Sequence, residues 1–449
     1  MQEEHPGLGG GVSGGCRKKG GEGPLPRRHD KEEKTDMNLS KRIQDMQESP
    51  IRKLVPIAQK AKKEGRKVYH LNIGQPDIPT PPAFFEAVKN FDAKVLEYSF
   101  SQGSPDLIRA MLPYYASFGM NFEERDILVT NGGSEAILFA LIAVADPGDE
   151  VLVPEPFYTN YNGFATPVGV KVVPITTTAE EGFALTSKDR IVSRITPRTR
   201  AILLSNPGNP TGAVYSAEEV RMVADVAKEH NLYIIADEVY REFIYDGLSY
   251  TSFGTMKDVE DRVVIVDSIS KRYSACGARI GCLASKNQAF IANVLKLCQG
   301  RLCVPTLEQV GAMELYKVDK SYFKEVNDEY TKRRDIVHAA LEEIPGVVCK
   351  KPRGAFYVIA KLPVDNAEDF VVWMLEHFSV DGETVMMAPA EGFYATPGLG
   401  RDEVRIAYVL NEHDLRKAMA ILKAGVAEYP AAKKQGASSG SCCCCGGKN

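Results

Sequence analysis

Five runs of β-branched and aliphatic residues recur through the middle of the chain: DILVT (126–130), EVLVP (150–154), AILLSNP (201–207), LYIIADE (232–238) and RVVIVDS (262–268). Stretches of helical rhythm separate several of them, among them SEAILFALIAVA (134–145) and SAEEVRMVADVAKEH (216–230). Strands that are apolar almost throughout have no face to turn toward water, so they belong in a sheet covered on both sides. The strand–helix alternation makes that sheet largely parallel and the fold α/β. In such a sheet ligands bind beyond the carboxyl ends of the strands, so the strand exits are where chemistry is to be sought.

The chain is 449 residues long, more than one core ordinarily takes, and two domains are expected. After about Leu315 a long charged helix (319–344) leads into shorter segments, GAFYVIAKL, AEDFVVWMLEHF and VRIAYVL, which read as a smaller α+β domain. The expected division is 71–318 for the large domain and 319–431 for the small one, with 38–70 as an arm able to pack with the latter. That arm reads as helical with Pro56 as an interruption. Residues 1–37 are rich in Gly and charge, and the tail 432–449 ends in GASSGSCCCCGGKN; both are expected to be disordered. Met37 is a plausible alternative start, and S-acylation is the sharper reading of the tail's cysteines.

A net charge of −4 offers no basic excess for nucleic acid, and no run of eighteen apolar residues is present to span a membrane. Ten cysteines do not form a disulfide or zinc pattern. Four are consecutive, Cys442 to Cys445, and Cys276, Cys282, Cys298, Cys303 and Cys349 lie scattered in apolar or small-residue context, as buried thiols of a reduced, cytoplasmic protein would. No metal site is expected.

Each strand exit carries an unusual set of residues. VTNGGSEA (129–136) brings two glycines to a helix start, where free N–H groups attract anions. Taken alone it reads equally well as a Gly turn with Ser134 as N-cap. SNPGNPTG (205–212) fixes a rigid turn through two Asn-Pro pairs. ADEVYREF (236–243) ends an apolar strand on two acids, at least one of which must be paired or lie in a site. SISKRYSACGAR (268–279) surrounds Lys271 with small and hydroxyl residues and ends on Arg279. A lysine there can attack a carbonyl, and Ser268 and Arg279 suit a phosphate dianion. A phosphate cradle, an amine nucleophile, a carboxylate, an Asn and a Tyr in one crevice together match pyridoxal 5′-phosphate.

Residues 38–429 resemble the class I/II aminotransferases of the aspartate aminotransferase superfamily. The motifs are LNIGQPD (71–77), TNGGSEA, PEPFYTNY (154–161), SNPGNPTG, ADEVY, SISK with Arg279, and RIAYVLNE (405–412). The resemblance implies fold type I, a mostly parallel seven-stranded sheet between helices plus a smaller domain. It also implies pyridoxal 5′-phosphate as cofactor. It makes Lys271 the residue that bonds the cofactor aldehyde and moves the substrate proton, Asp237 the partner of the pyridine nitrogen, and Asn209 and Tyr240 the partners of the ring hydroxyl. Tyr158 would stack on the ring. Gly133, Ser134, Ser268 and Arg279 would hold the phosphate, with the backbone N–H of Glu135. Tyr98 resembles the tyrosine that reaches the neighbouring subunit's phosphate, which implies a homodimer. Arg405 would clamp the substrate α-carboxylate as a bidentate fork, with Gly74 beside it.

The implied activity moves an amino group from an L-amino acid, with aspartate favoured, to a 2-oxo acid such as 2-oxoglutarate. Broad, aromatic and alanine-type transfer, a C–S lyase of the same fold, and a non-catalytic cofactor-binding protein are the rivals. A dicarboxylate specialist needs one more cation, and Arg52 and Arg301 are the sequence candidates.

Overall fold

The computed structural model describes residues 39–429. The expected extension 1–37 with Met37, and the cysteine tail 432–449, lie outside the described residues.

The strands in chain order are β1 (Lys67–His70), β2 (Ile127–Thr130), β3 (Glu150–Glu155), β4 (Lys171–Thr176), β5 (Thr199–Ser205), β6 (Tyr233–Asp237), β7 (Val263–Ser268), β8 (Gly281–Ala284), β9 (Tyr357–Lys361), β10 (Glu383–Met386), β11 (Ala388–Pro389) and β12 (Glu403–Ala407). Seven of them make one sheet in the order β2-β8-β7-β6-β5-β3-β4. All neighbours are parallel except β8, which runs against β2 and β7. The α/β architecture is therefore as the apolar runs require.

Coverage of both faces can be read along each strand. In β5, Ile202 and Leu204 enter one hydrophobic cluster while Ala201 and Leu203 enter another across the sheet. In β7, Val263 and Ile265 face the first, and Val264 and Val266 the second. Period-two alternation between two apolar faces is why the middle of each run, Ala201–Leu204 and Val263–Val266, is apolar at every position.

Helix starts follow local chemistry. Before Ala217–Glu229, Ser216 Oγ accepts from Glu219 N at 3.2 Å, and Ser216 N donates to the Glu219 carboxylate at 2.7 Å, a reciprocal cap. Asn366 caps Ala367–His377 by accepting from Glu368 N at 2.8 Å.

The opening arm differs from its expectation. It holds a short helix, Lys41–Gln44, and a longer one, Val55–Lys63. The break falls at a turn around Ser49–Leu54, and Pro56 lies in the first turn of the second helix, where a missing N–H removes no helical bond. From there Leu54, Ala58, Ala61, Val68 and Leu71 join a cluster with Phe370, Leu375, Val404 and Leu422. β1 adds parallel to β10, and β11, β12 and β9 form a three-stranded antiparallel sheet. The arm thus packs against elements more than 250 residues away in sequence.

Candidate active site

The carboxyl ends of β5, β6 and β7 open into a cavity of ≈ 400 Å³. Gly74, Gly133, Ser134, Tyr158, Asn209, Asp237, Tyr240, Ser268, Lys271, Arg279 and Arg405 all line it. Those residues come from segments spread over more than 300 positions, and the fold brings them to one place.

The alternation of residues at the strand exits explains how they are held. Asp237, Tyr240, Ser268 and Lys271 face the cavity, and their immediate neighbours Glu238, Arg241, Asp267 and Arg272 point the other way. Those neighbours form a fully buried ion network. Arg241 meets Asp267 at 2.9 Å and Glu238 at 3.1 Å, and Arg272 meets Asp267 at 2.7 Å. Tyr115 donates to Asp267 at 2.8 Å and Ser252 to Glu238 at 2.8 Å. Burial pushes the Asp267 carboxyl up, but Arg241 and Arg272 outweigh it and hold it below its usual value.

On the cavity side the charges are unmatched. Lys271 Nζ donates to the Gly74 carbonyl at 2.9 Å and lies 4.0 Å from Cys276 Sγ, with no carboxylate partner among the described residues. Arg279 reaches only two backbone carbonyls, Cys276 O at 3.1 Å and Asn131 O at 3.2 Å. It lies directly over Gly132, where an added Cβ would stand 2.4 Å from its Nη2, and Gly132 has φ +77°. Glycine is required there on both counts.

Arg405, 2% exposed, donates to Asn72 O at 2.5 Å and to Asn209 Oδ1 at 3.0 Å. Its guanidinium lies 4.6 Å from the Tyr357 ring centre and 5.0 Å from that of Phe393. Its Nε has no partner, and burial pulls its pKa down. A buried guanidinium with a free donor is built to receive an anion.

Asp237 accepts from Tyr161 OH at 2.8 Å and from Val239 N at 3.4 Å, with no cation paired to it. Burial pushes its carboxyl up to about 6 against those two bonds. Tyr240 and Tyr357 share a hydroxyl hydrogen bond of 2.8 Å, and burial pushes the Tyr240 phenol well above its usual range. Tyr158 accepts from Asn160 Nδ2 at 2.8 Å, and burial pushes it up to about 12. Lys271, Arg279 and Arg405 without carboxylate partners, Asp237 without a cation, and a glycine-lined helix start suit a ligand with a phosphate, a basic ring nitrogen, an aldehyde and an added carboxylate. Pyridoxal 5′-phosphate with an amino acid substrate fits that description.

Some sequence expectations change. The helix begins at Gly132, so Ser134 is inside its first turn rather than its N-cap. The Glu135 side chain turns away, accepting from Asn131 N at 2.8 Å and lying 3.7 Å from Arg301, although its N–H remains in the anion-attracting first turn. Ser268 is used by the chain itself, capping Ile269–Arg272, sharing 2.7 Å with Ser270 Oγ and donating to Ile280 O at 2.9 Å. Tyr98 is 80% exposed and does not line this cavity. Arg301 is tied to Ser101 O and Val129 O and does not line the cavity, whereas Arg52 does. Cys276 is not a buried thiol but a cavity-lining one, and Cys303 and Cys349 are only partly buried. Arg405, as expected of a carboxylate clamp, lies inside, on β12, which is buried at every position.

Sequence reasoning missed Tyr357, Gln75 and Ser270 at the cavity. Tyr357 had a signal in Gly74: a Cβ there would stand 1.8 Å from Tyr357 OH, so the glycine is the imprint of the tyrosine.

Residues 66–422 match the model of the family described as aminotransferase class I and II. An aspartate aminotransferase of Musicola paradisiaca (strain Ech703) is 30% identical over 396 residues, spanning 84% of this chain and 93% of its own. Aromatic-amino-acid aminotransferase 2 of Thermococcus litoralis is 31% identical, with 85% and 97% covered. The solved alanine aminotransferase from Pyrococcus furiosus superposes with a TM-score of 0.79 at 31% identity, over 86% of this chain and 99% of that one. With that family's fold, its match over most of the length, and a cavity shaped for its chemistry, the chain belongs to the class I and II aminotransferases, enzymes that use pyridoxal 5′-phosphate.

Proposed function

We propose that this cavity holds pyridoxal 5′-phosphate and moves an amino group between an L-amino acid, aspartate first among them, and a 2-oxo acid such as 2-oxoglutarate, in two half-reactions. The observation that carries the reading is the charge pattern: Lys271, Arg279 and Arg405 without carboxylates, and Asp237 without a cation, on one cavity wall.

Bound there, the cofactor would supply an aldehyde to receive the amino group and a ring to take up the electron pair left on Cα. The chain does the rest. Arg279 and the N–H groups of Gly133, Ser134 and Glu135 hold the phosphate. Asp237, buried and ionised beside a pyridinium, keeps the ring nitrogen protonated. Asn209, whose Oδ1 is occupied by Arg405, offers its amide N–H to the ring hydroxyl, and Tyr240 offers its phenol from the other side. Tyr158 packs on the ring. Arg405 would fix the α-carboxylate and so aim the Cα–H at Lys271, whose amine would take up that proton and hold it for return.

The working unit is a cytoplasmic homodimer in which Tyr98 reaches the other copy's site. Support comes from the exposure of Tyr98 beside Val95, Leu96 and Phe100, an apolar stretch left uncovered among the described residues. The division into 71–318 and 319–431 with the arm 38–70 belongs to the same reading, supported by the separate hydrophobic clusters.

The test is a screen of L-amino acid donors against 2-oxoglutarate, following glutamate and the new 2-oxo acid. Transfer with a strict need for the acceptor is expected. Ammonia and pyruvate released without any acceptor would overturn it.

A further inference from the structure

The cavity has one cation more than the proposed reaction uses. Its charged lining consists of Arg52, Lys271, Arg279, Arg405 and Asp237. In the reading above Lys271 meets the aldehyde, Arg279 the phosphate, Arg405 the α-carboxylate and Asp237 the ring nitrogen, which leaves Arg52. Its guanidinium has no hydrogen-bond or ion-pair partner among the described residues, and Glu48, the acid nearest in sequence, forms no ion pair with it. Its charge reaches Tyr158, whose phenol it draws down against the rise due to burial.

Arg52 is exposed, but its backbone is not loose. Arg52 N donates to Ser49 O at 3.0 Å, Val55 N donates to Arg52 O at 2.9 Å, and the next residue, Lys53, pairs with Glu368. The buried Asn72 amide donates to Ile51 O at 3.1 Å, and the Asn72 carbonyl is the same one that accepts from Arg405. One residue therefore ties the turn bearing Arg52 to the arginine meant for the α-carboxylate, and the span between the two guanidinium groups is set by the fold.

Building on the proposed function, we infer that Arg52 is the specificity residue that receives the second carboxylate of a dicarboxylic substrate, and that the site prefers four- and five-carbon diacids to their monoacid counterparts. A guanidinium suits this task because its planar donors match a carboxylate fork. Arg52 also borders an adjoining cavity of mixed lining, with Met46 and Phe164 beside Gln47, Glu48 and Asn160, and a substrate with no distal charge gains no ion pair from Arg52.

Calorimetric titration of the full-length, cofactor-loaded protein with succinate and with butyrate tests this, since neither has an amino group to transfer. Succinate is expected to bind about tenfold to a hundredfold tighter than butyrate, the worth of a charge-assisted hydrogen-bonded pair. In Arg52→Met that ratio should collapse toward one, and Arg52→Lys should keep part of it. The KM for 2-oxoglutarate should rise relative to that for pyruvate by the same factor. An unchanged ratio in Arg52→Met, or equal weakening of both acids, overturns the inference. A protein that takes up no pyridoxal 5′-phosphate fails the underlying reading instead, before any titration begins.

Discussion

Asp237 illustrates what a site residue costs a protein at rest. Its carboxyl is buried at the end of β6 with a tyrosine and a backbone N–H for company, and burial pushes it up to about 6 from 3.8. A carboxyl raised in the folded state holds its proton more tightly there than in the unfolded chain. Its contribution to stability therefore falls as pH rises from about 4 to about 6, by up to about 3 kcal/mol, and stays lost above. Urea unfolding of the cofactor-free protein should show wild type losing ground to Asp237→Asn between pH 4.5 and pH 7.5. A pyridinium beside the ionised carboxylate should abolish that difference. Identical pH profiles for the two cofactor-free proteins would contradict it. The residue's position was readable because an acid closing an apolar strand must be paired or sit in a site. The residue pattern alone did not divide the roles of Asp237 and Glu238, which the family resemblance assigned, since only the turn of the chain sends one to the cavity and the other to Arg241.

Strand exits are the elements that matter, and they are held from behind. Glu238, Arg241, Asp267 and Arg272 lock the segments after β6 and β7 to each other, so the cavity-facing residues one position away inherit a fixed spacing. Asp267→Asn strips charge from the centre of that network, removing the carboxylate that both buried arginines share and leaving only the Arg241–Glu238 ion pair. It should cost about 3–5 kcal/mol of stability, measured by denaturant unfolding. It should also weaken cofactor binding, although Asp267 touches neither cofactor nor substrate. A variant as stable as wild type would show the network to be dispensable.

At this scale the long apolar strands were legible, because β-branched runs of five or more residues have few other readings. β4, β8 and β1 were not. β4 carries Pro174, and β8 is four residues of GCLA in small-residue surroundings, made a strand by the edges of β2 and β7 rather than by its own propensity. The turn holding Arg52 was hidden inside a helical rhythm for a similar reason: its conformation is fixed by Asn72 and Glu368, residues distant in the sequence.

Across the whole molecule, the cavity is where the arm, the seven-stranded sheet and the three-stranded sheet of β11, β12 and β9 meet. Arg52 comes from the first, Asp237 and Lys271 from the ends of the second, Tyr357 and Arg405 from the third, with Gly74 on the segment that follows β1. Motif order in the sequence announced the membership of most of these, and Arg405 alone would have passed for an ordinary strand arginine. Tyr357 escaped notice because its evidence is steric, written in Gly74 rather than in its own neighbourhood. The central claim is that this convergence places Lys271 at the carbonyl of a bound cofactor. Borohydride reduction of the full-length protein loaded with pyridoxal 5′-phosphate, followed by peptide mass mapping, tests it directly. A phosphopyridoxyl group on Lys271, absent from Lys271→Ala, is the expected result, with the variant folded and without turnover. A label on another lysine, or no label in a protein that still transfers amino groups, would contradict it.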